Sequence, residues 1–203
     1  MIKKFFIYLK SDGLWNALAF TLKSITSLVY NKSVTNIYKR ITGEEEYNNE
    51  AVIKEVGANE VERMDFPRLK LLDWRKWLEN KSRLYVAYIG NKPVGYAWIH
   101  YHSYHFAGKY NFGIEENEVW IGPSFVKKEF RGKGLQKALT QYRLSKIKNC
   151  TVYTSVSSNN IASNKCMKRN NFEFMGTVTI TTLFGKEIKT AITPQIKDKI
   201  QRQ

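Results

Sequence analysis

The chain has 203 residues, 43% of them hydrophobic and 14% aromatic, and carries a formal charge of +15. One domain of about 100 to 200 residues with an appendage fits that length; two large domains do not, and so apolar a composition excludes wholesale disorder. Basic against acidic residues stand at 7 to 1 over residues 1–40, 10 to 13 over 41–120 and 16 to 4 over 121–203. Positive charge concentrated at both ends points to a localised anionic partner such as a nucleotide cofactor, a lipid surface or nucleic acid, while a generally solvated basic surface stays open.

In chain order, the apolar run over residues 5–9 is too short for an export signal. Ser11-Asp12 can cap a helix in which Leu14, Leu18, Leu22, Ile25 and Val29 recur at three- and four-residue steps. Asn16 and Lys23 interrupt that stretch, so it is read as amphipathic and not as a spanning helix. Residues 1–43 are therefore expected to form a basic amphipathic helical extension, and 44–50 an acidic linker built on Glu44-Glu45-Glu46.

Past the linker the period keeps changing. A strand is expected near 51–56, two helices over 59–78 broken at Pro67, and a hairpin of 84–89 with 94–101 around Gly90-Asn91-Lys92-Pro93. Another strand covers 118–126, with a break in pairing at Gly122-Pro123. A glycine-bearing turn and a helix carrying Leu135, Leu139 and Tyr142 follow. A strand over 150–156, a helix over 160–169 and a closing hairpin around Gly185 complete a domain spanning 51–194, and 195–203 reads as a polar tail. Helices interleaved with hairpins imply an α/β (α+β) fold: a mixed, mostly antiparallel sheet of about six to seven strands flanked by about four helices, plus the N-terminal helix.

The chemistry gathers where the 118–126 strand ends. Arg131-Gly132-Lys133-Gly134 opens a helix, and such a turn lets backbone N–H groups and aligned peptide dipoles converge on a pyrophosphate. Lys127, Lys128, Arg131, Lys133 and Lys137 surround it against the single carboxylate of Glu129. Cys150 and Cys166 show no CxxC spacing and no Cys/His cluster, so no metal site is expected, and a reducing, cytoplasmic compartment fits.

The segment Val126-Lys127-Lys128-Glu129-Phe130-Arg131-Gly132-Lys133-Gly134-Leu135 resembles the acetyl-CoA signature of the GNAT superfamily of N-acetyltransferases. Asn160-Ile161-Ala162-Ser163 followed by Asn171-Phe172 resembles that family's second motif. Gln136 stands where the signature has a small residue, Asn171 replaces a glycine, and Met167 lies where many members carry the tyrosine that protonates the departing thiolate. The resemblance implies acetyl-CoA as co-substrate, held by Phe125, Val126, Arg131, Gly132, Lys133, Gly134, Leu135, Gln136, Asn160 and Ser163. It also implies direct attack by an amine, with backbone N–H groups near Phe125 and Val126 polarising the thioester carbonyl.

Glu118 is the carboxylate placed to act as base and Tyr153 a substitute acid, while His100 and His102 could line an acceptor pocket; each also has a purely structural reading. Cys166 is read as a small buried helix residue. The leader joined to such a domain resembles acetyltransferases of bacterial surface-polysaccharide synthesis, which implies an amino-sugar nucleotide as acceptor. Proteins, peptides and polyamines stay open, and a non-catalytic nucleic-acid-binding module is the competing class. Residues 1–30 could contact the inner face of the membrane, or pack on the domain or on a second subunit in a homodimer.

Overall fold

The computed structural model describes residues 6, 9–10, 13–43, 46–47, 51–107 and 109–202. The Ser11-Asp12 cap, Lys3, Lys4 and most of the acidic linker lie outside the described residues. An eight-stranded sheet of order β10-β9-β1-β8-β7-β4-β3-β2 forms the body. Its strands are β1 (Tyr30–Ile41), β2 (Val52–Val56), β3 (Arg83–Ile89), β4 (Lys92–His100), β7 (Glu118–Val126), β8 (Thr151–Ser157), β9 (Glu173–Leu183) and β10 (Lys186–Ile192). The pairs are antiparallel except β7 with β8, which run parallel. A second sheet, β11-β6-β5, joins β5 (Tyr104–Ala107), β6 (Tyr110–Phe112) and β11 (Ile200–Arg202).

Helices cover both faces of the main sheet, and alternation along each strand feeds both cores. Ala97, Ile99, Val119, Ile121 and Val152 pack beneath α4 (Leu135–Ser145) and α5 (Ile161–Arg169), with Leu139, Leu144 and Met167. On the other face Tyr96, Trp98 and Phe125 meet Val61, Phe66 and Leu69, from α2 (Ala58–Arg63) and the turn after it, and α3 (Trp74–Glu79) closes that core. Farther along this face Ile37, Trp120, Tyr153 and Val178 pack under the second sheet. A further helix, α1 (Leu14–Val29), leads directly into β1.

Three expectations need correction. Residues 30–41, read as part of a helical extension, form a strand between β8 and β9, with Ile37 and Tyr38 buried on opposite faces. Asn31, Lys32, Ser33, Asn36 and Lys39 hide this in the sequence, because the sheet uses few of the side chains of β1 and takes its backbone on both edges. The strands exceed the expected number through β1 and the second sheet. The polar tail is packed: Ile196 is fully buried and β11 pairs with β6.

Candidate active site

The site begins with a failure of pairing. On β7, Ser124 stands opposite Ala97 but Ile121 stands opposite Ile99, so Gly122-Pro123 carries one residue more than β4 can match. Trp98, left out of register, gives its carbonyl to the guanidinium of Arg143 on α4 at 3.1 Å. That guanidinium is buried, and it also donates to the Leu139 carbonyl and to Thr140. Burial pulls its pKa down to about 10, so Arg143 fixes α4 to the bulge while remaining charged at neutral pH.

The bulge also ends the parallel pairing. β7 and β8 are in register only at Glu118, Val119 and Trp120, with a last tie from the Thr154 hydroxyl to the Ile121 carbonyl at 2.8 Å. Beyond that point the two strands part. Lys127 donates its N–H to Val94 on β4, so by antiparallel alternation Phe125 also turns its N–H toward β4, whereas Ser124 and Val126 turn theirs into the gap. Of the two amides expected to polarise a carbonyl there, only that of Val126 faces the right way.

Beside this end of β7 lies a cleft of about 660 Å³. Gly132 and Gly134 adopt left-handed φ of +81° and +75° and have no heavy atom near where a Cβ would stand. Gly134 caps α4 without a side chain, and the helical ladder starts with Ala138 donating to Gly134. The amides of Leu135, Gln136 and Lys137 precede it and are presented at the helix N-terminus. Arg131 braces the turn by donating from Nε to the Val126 carbonyl at 3.0 Å, and Gln136 donates to Ser124 at 2.6 Å. The bulkier Gln136 therefore ties α4 to β7.

Phe125, Val126, Arg131, Gly132, Gly134, Leu135, Gln136, Asn160 and Ser163 all line this cleft. Lys133 does not; it lines a neighbouring depression with Tyr88 and Ala138, its ammonium over the Phe130 ring. Asn160 caps α5 by accepting the Ser163 N–H at 3.1 Å. Sequence reasoning did not assign Ser124, Ala162, Cys166, Arg169, Asn170 or Arg68 to the site. Alternation with Val126 signals Ser124, and helical spacing from Ser163 signals Cys166, Arg169 and Asn170. Arg68 arrives from the turn after α2 and has no such signal.

Met167 is buried in the core, whereas its neighbour Cys166 lines the cleft, half-buried, its thiol pushed up by burial. Among the described residues that line the cleft there is neither carboxylate nor imidazole.

The other residues expected at the site lie outside the cleft. Glu118 accepts from Lys199 at 2.8 Å, from the Tyr153 hydroxyl at 3.2 Å and from the Glu115 N–H at 2.9 Å. Burial works to raise its pKa, but these hydrogen bonds prevail and hold it below the usual range. Tyr153 is pushed up to about 12 by burial and by Glu118. His100 is buried, placed between the Ser82 hydroxyl at 2.9 Å and the Gly122 carbonyl at 2.7 Å. His102 is exposed in the turn after β4. Among the described residues no three metal-type side chains come together.

A mixed sheet with one parallel pair splayed at a bulge, beside a glycine turn that opens a helix, defines an α/β scaffold with a cleft at a helix N-terminus. The model of the Acetyltransferase (GNAT) family matches residues 45–172, and the chain belongs to that family.

Solved structures share the fold at low identity. A protein from Novosphingobium aromaticivorans assigned to the GNAT acetyltransferases is 13% identical with a TM-score of 0.56, over 75% of this chain and 64% of that one. A GCN5-related N-acetyltransferase from Sphaerobacter thermophilus is 14% identical with a TM-score of 0.52, over 84% and 57%. An acetyltransferase of the GNAT family from Colwellia psychrerythraea is 14% identical with a TM-score of 0.51, over 86% and 63%. The chain thus spans less than two thirds of the length of these structures. No curated protein matches it.

Proposed function

We propose that the chain transfers the acetyl group of acetyl-CoA to the primary amine of a small-molecule acceptor, an amino-sugar nucleotide. The observation that carries this reading is that one cleft is lined together by the residues that open α4, by Ser124 and Val126 of β7 and by the start of α5. When bound, acetyl-CoA supplies an acyl group already activated as a thioester.

In this reading the amides of residues 135–137 hold the diphosphate, and Arg131 fixes the turn that presents them. The Val126 N–H is aimed at the position where a carbonyl oxygen gains negative charge. Catalysis is then mainly positioning of the two reactants in the cleft. Glu118 is committed to Lys199 and Tyr153, so the acceptor ammonium loses its proton to solvent. That loss costs about 4 kcal/mol at pH 7 for an amine of pKa about 10. Arg68 and Arg169 line the cleft in addition to the cations of the glycine turn, which supports an acceptor that itself bears phosphate.

The test is acetyl-CoA consumption against amino-sugar nucleotides, peptides and polyamines. Turnover is expected with an amino-sugar nucleotide, with kcat/KM climbing with pH toward the pKa of the acceptor. Turnover confined to peptides or polyamines would contradict the acceptor, and consumption of acetyl-CoA by none of them would contradict the activity.

A further inference from the structure

Two exposed apolar features meet at one end of the main sheet. In α1 the small residue Ala17 turns inward and is fully buried, while Leu14, Trp15, Leu18 and Leu22 face outward, Trp15 being 82% exposed. At the far end of α1, Tyr30 stands opposite Leu183, and Phe184 at the hairpin tip donates its N–H to the Val29 carbonyl at 2.9 Å. Phe184 is 73% exposed. Among the described side chains, Leu14, Trp15, Leu18 and Leu22 toward the start of α1, and Val29, Tyr30 and Phe184 at its far end, are thus left outside the core. Soluble monomers rarely leave a large apolar surface exposed to water.

Apart from Glu187, the described charged groups at this hairpin end are cations. α1 contains no carboxylate. Lys32 stands in register with Thr181, and Thr181 with Lys189, so two exposed ammonium groups lie on one face on the strands either side of β9, with Lys186 exposed at the turn. The acidic residue of this hairpin end, Glu187, is engaged by Tyr110, Thr190 and Arg202. A second copy brought onto this face by two-fold symmetry would set the same cations against one another. An acidic lipid surface would match both the cations and the apolar groups.

We propose that α1 and the β9–β10 hairpin tip form a docking surface for an anionic lipid bilayer. α1 lies in the headgroup layer with Trp15 and its leucines at the acyl boundary, and Lys32, Lys186 and Lys189 meet acidic headgroups. It rests on the bilayer and does not span it: 16 residues make a helix of about 24 Å against a hydrocarbon core of about 30 Å. Among the described residues no helix is long and apolar enough to cross.

The experiment is co-sedimentation of the full chain with vesicles of phosphatidylcholine containing phosphatidylglycerol, alongside phosphatidylcholine alone. It needs no turnover, so its outcome is independent of the transferase reading. Binding is expected to the anionic vesicles, weakening as salt rises. Trp15→Ser with Leu18→Ser, and separately Phe184→Ser, should each cut it at least tenfold. These side chains lie outside the core, so thermal melting of the variants should match the parent. Three outcomes overturn the proposal: no sedimentation with anionic vesicles, equal binding to neutral ones, or a dimeric parent that Trp15→Ser with Leu18→Ser converts to a monomer.

Discussion

His100 shows how far a residue's position can part from its expected role. Its alternation with His102 about Tyr101 suggested an acceptor pocket, yet the ring is enclosed by Trp77, Trp98 and Tyr104. Burial, with the charge of Arg143, brings its pKa down to about 4 from an ordinary 6.5, although the hydrogen bond to Gly122 works the other way. The ring is therefore neutral at pH 7, with one nitrogen donating to the Gly122 carbonyl and the other accepting from Ser82. Because the folded value is depressed, the unfolded chain binds more protons between pH 6.5 and 4. Stability is thus retained above 6.5 and lost progressively down to about 4, by about 3 kcal/mol. Melting curves recorded from pH 7 to 4 should show this slope, and His100→Gln should flatten it; a parent with a level melting temperature over that range would contradict the assignment.

At the scale of elements, the carboxamide of Asn164 ties α5 to the sheet. Asn164 donates to the carbonyls of Ser157 and Asn160 at 2.9 and 2.8 Å, and its oxygen accepts from Asn36 at 2.9 Å and Tyr38 at 2.7 Å on β1. The network links β1, the end of β8 and the α5 cap that faces the cleft. Asn164→Ala leaves several of these groups without a partner, so a loss of about 2 to 3 kcal/mol is expected in urea denaturation, together with a raised KM for acetyl-CoA. An unchanged midpoint would mean that α5 is held by packing alone.

The α5 cap and the glycine turn were legible in the sequence because each is a local device: a capping side chain, or a backbone position that favours glycine. β1 was not legible, because what makes it a strand is the two neighbours it pairs with, far away in sequence. The bulge was announced by Gly122-Pro123, whereas the partner of the freed Trp98 carbonyl, Arg143, had no local signature.

For the whole molecule, the position of β1 decides where the domain begins. A chain starting at residue 44 lacks the strand between β8 and β9 and leaves two unpaired edges in mid-sheet, so it should fail to fold. One starting at Tyr30 keeps the sheet and should unfold cooperatively, as followed by circular dichroism. A folded, cooperative product from the shorter chain would contradict the topology. Both sheet faces, the bulge and α4 converge on the turn at residues 131–136, and the account depends on that turn gripping a diphosphate. The most direct measurement is calorimetric titration of coenzyme A into the parent and into Gly134→Trp, whose bulk would fill the open space at that glycine. The account predicts one-to-one binding to the parent and none to the folded variant; no heat from the parent, or equal affinity in both, would contradict it.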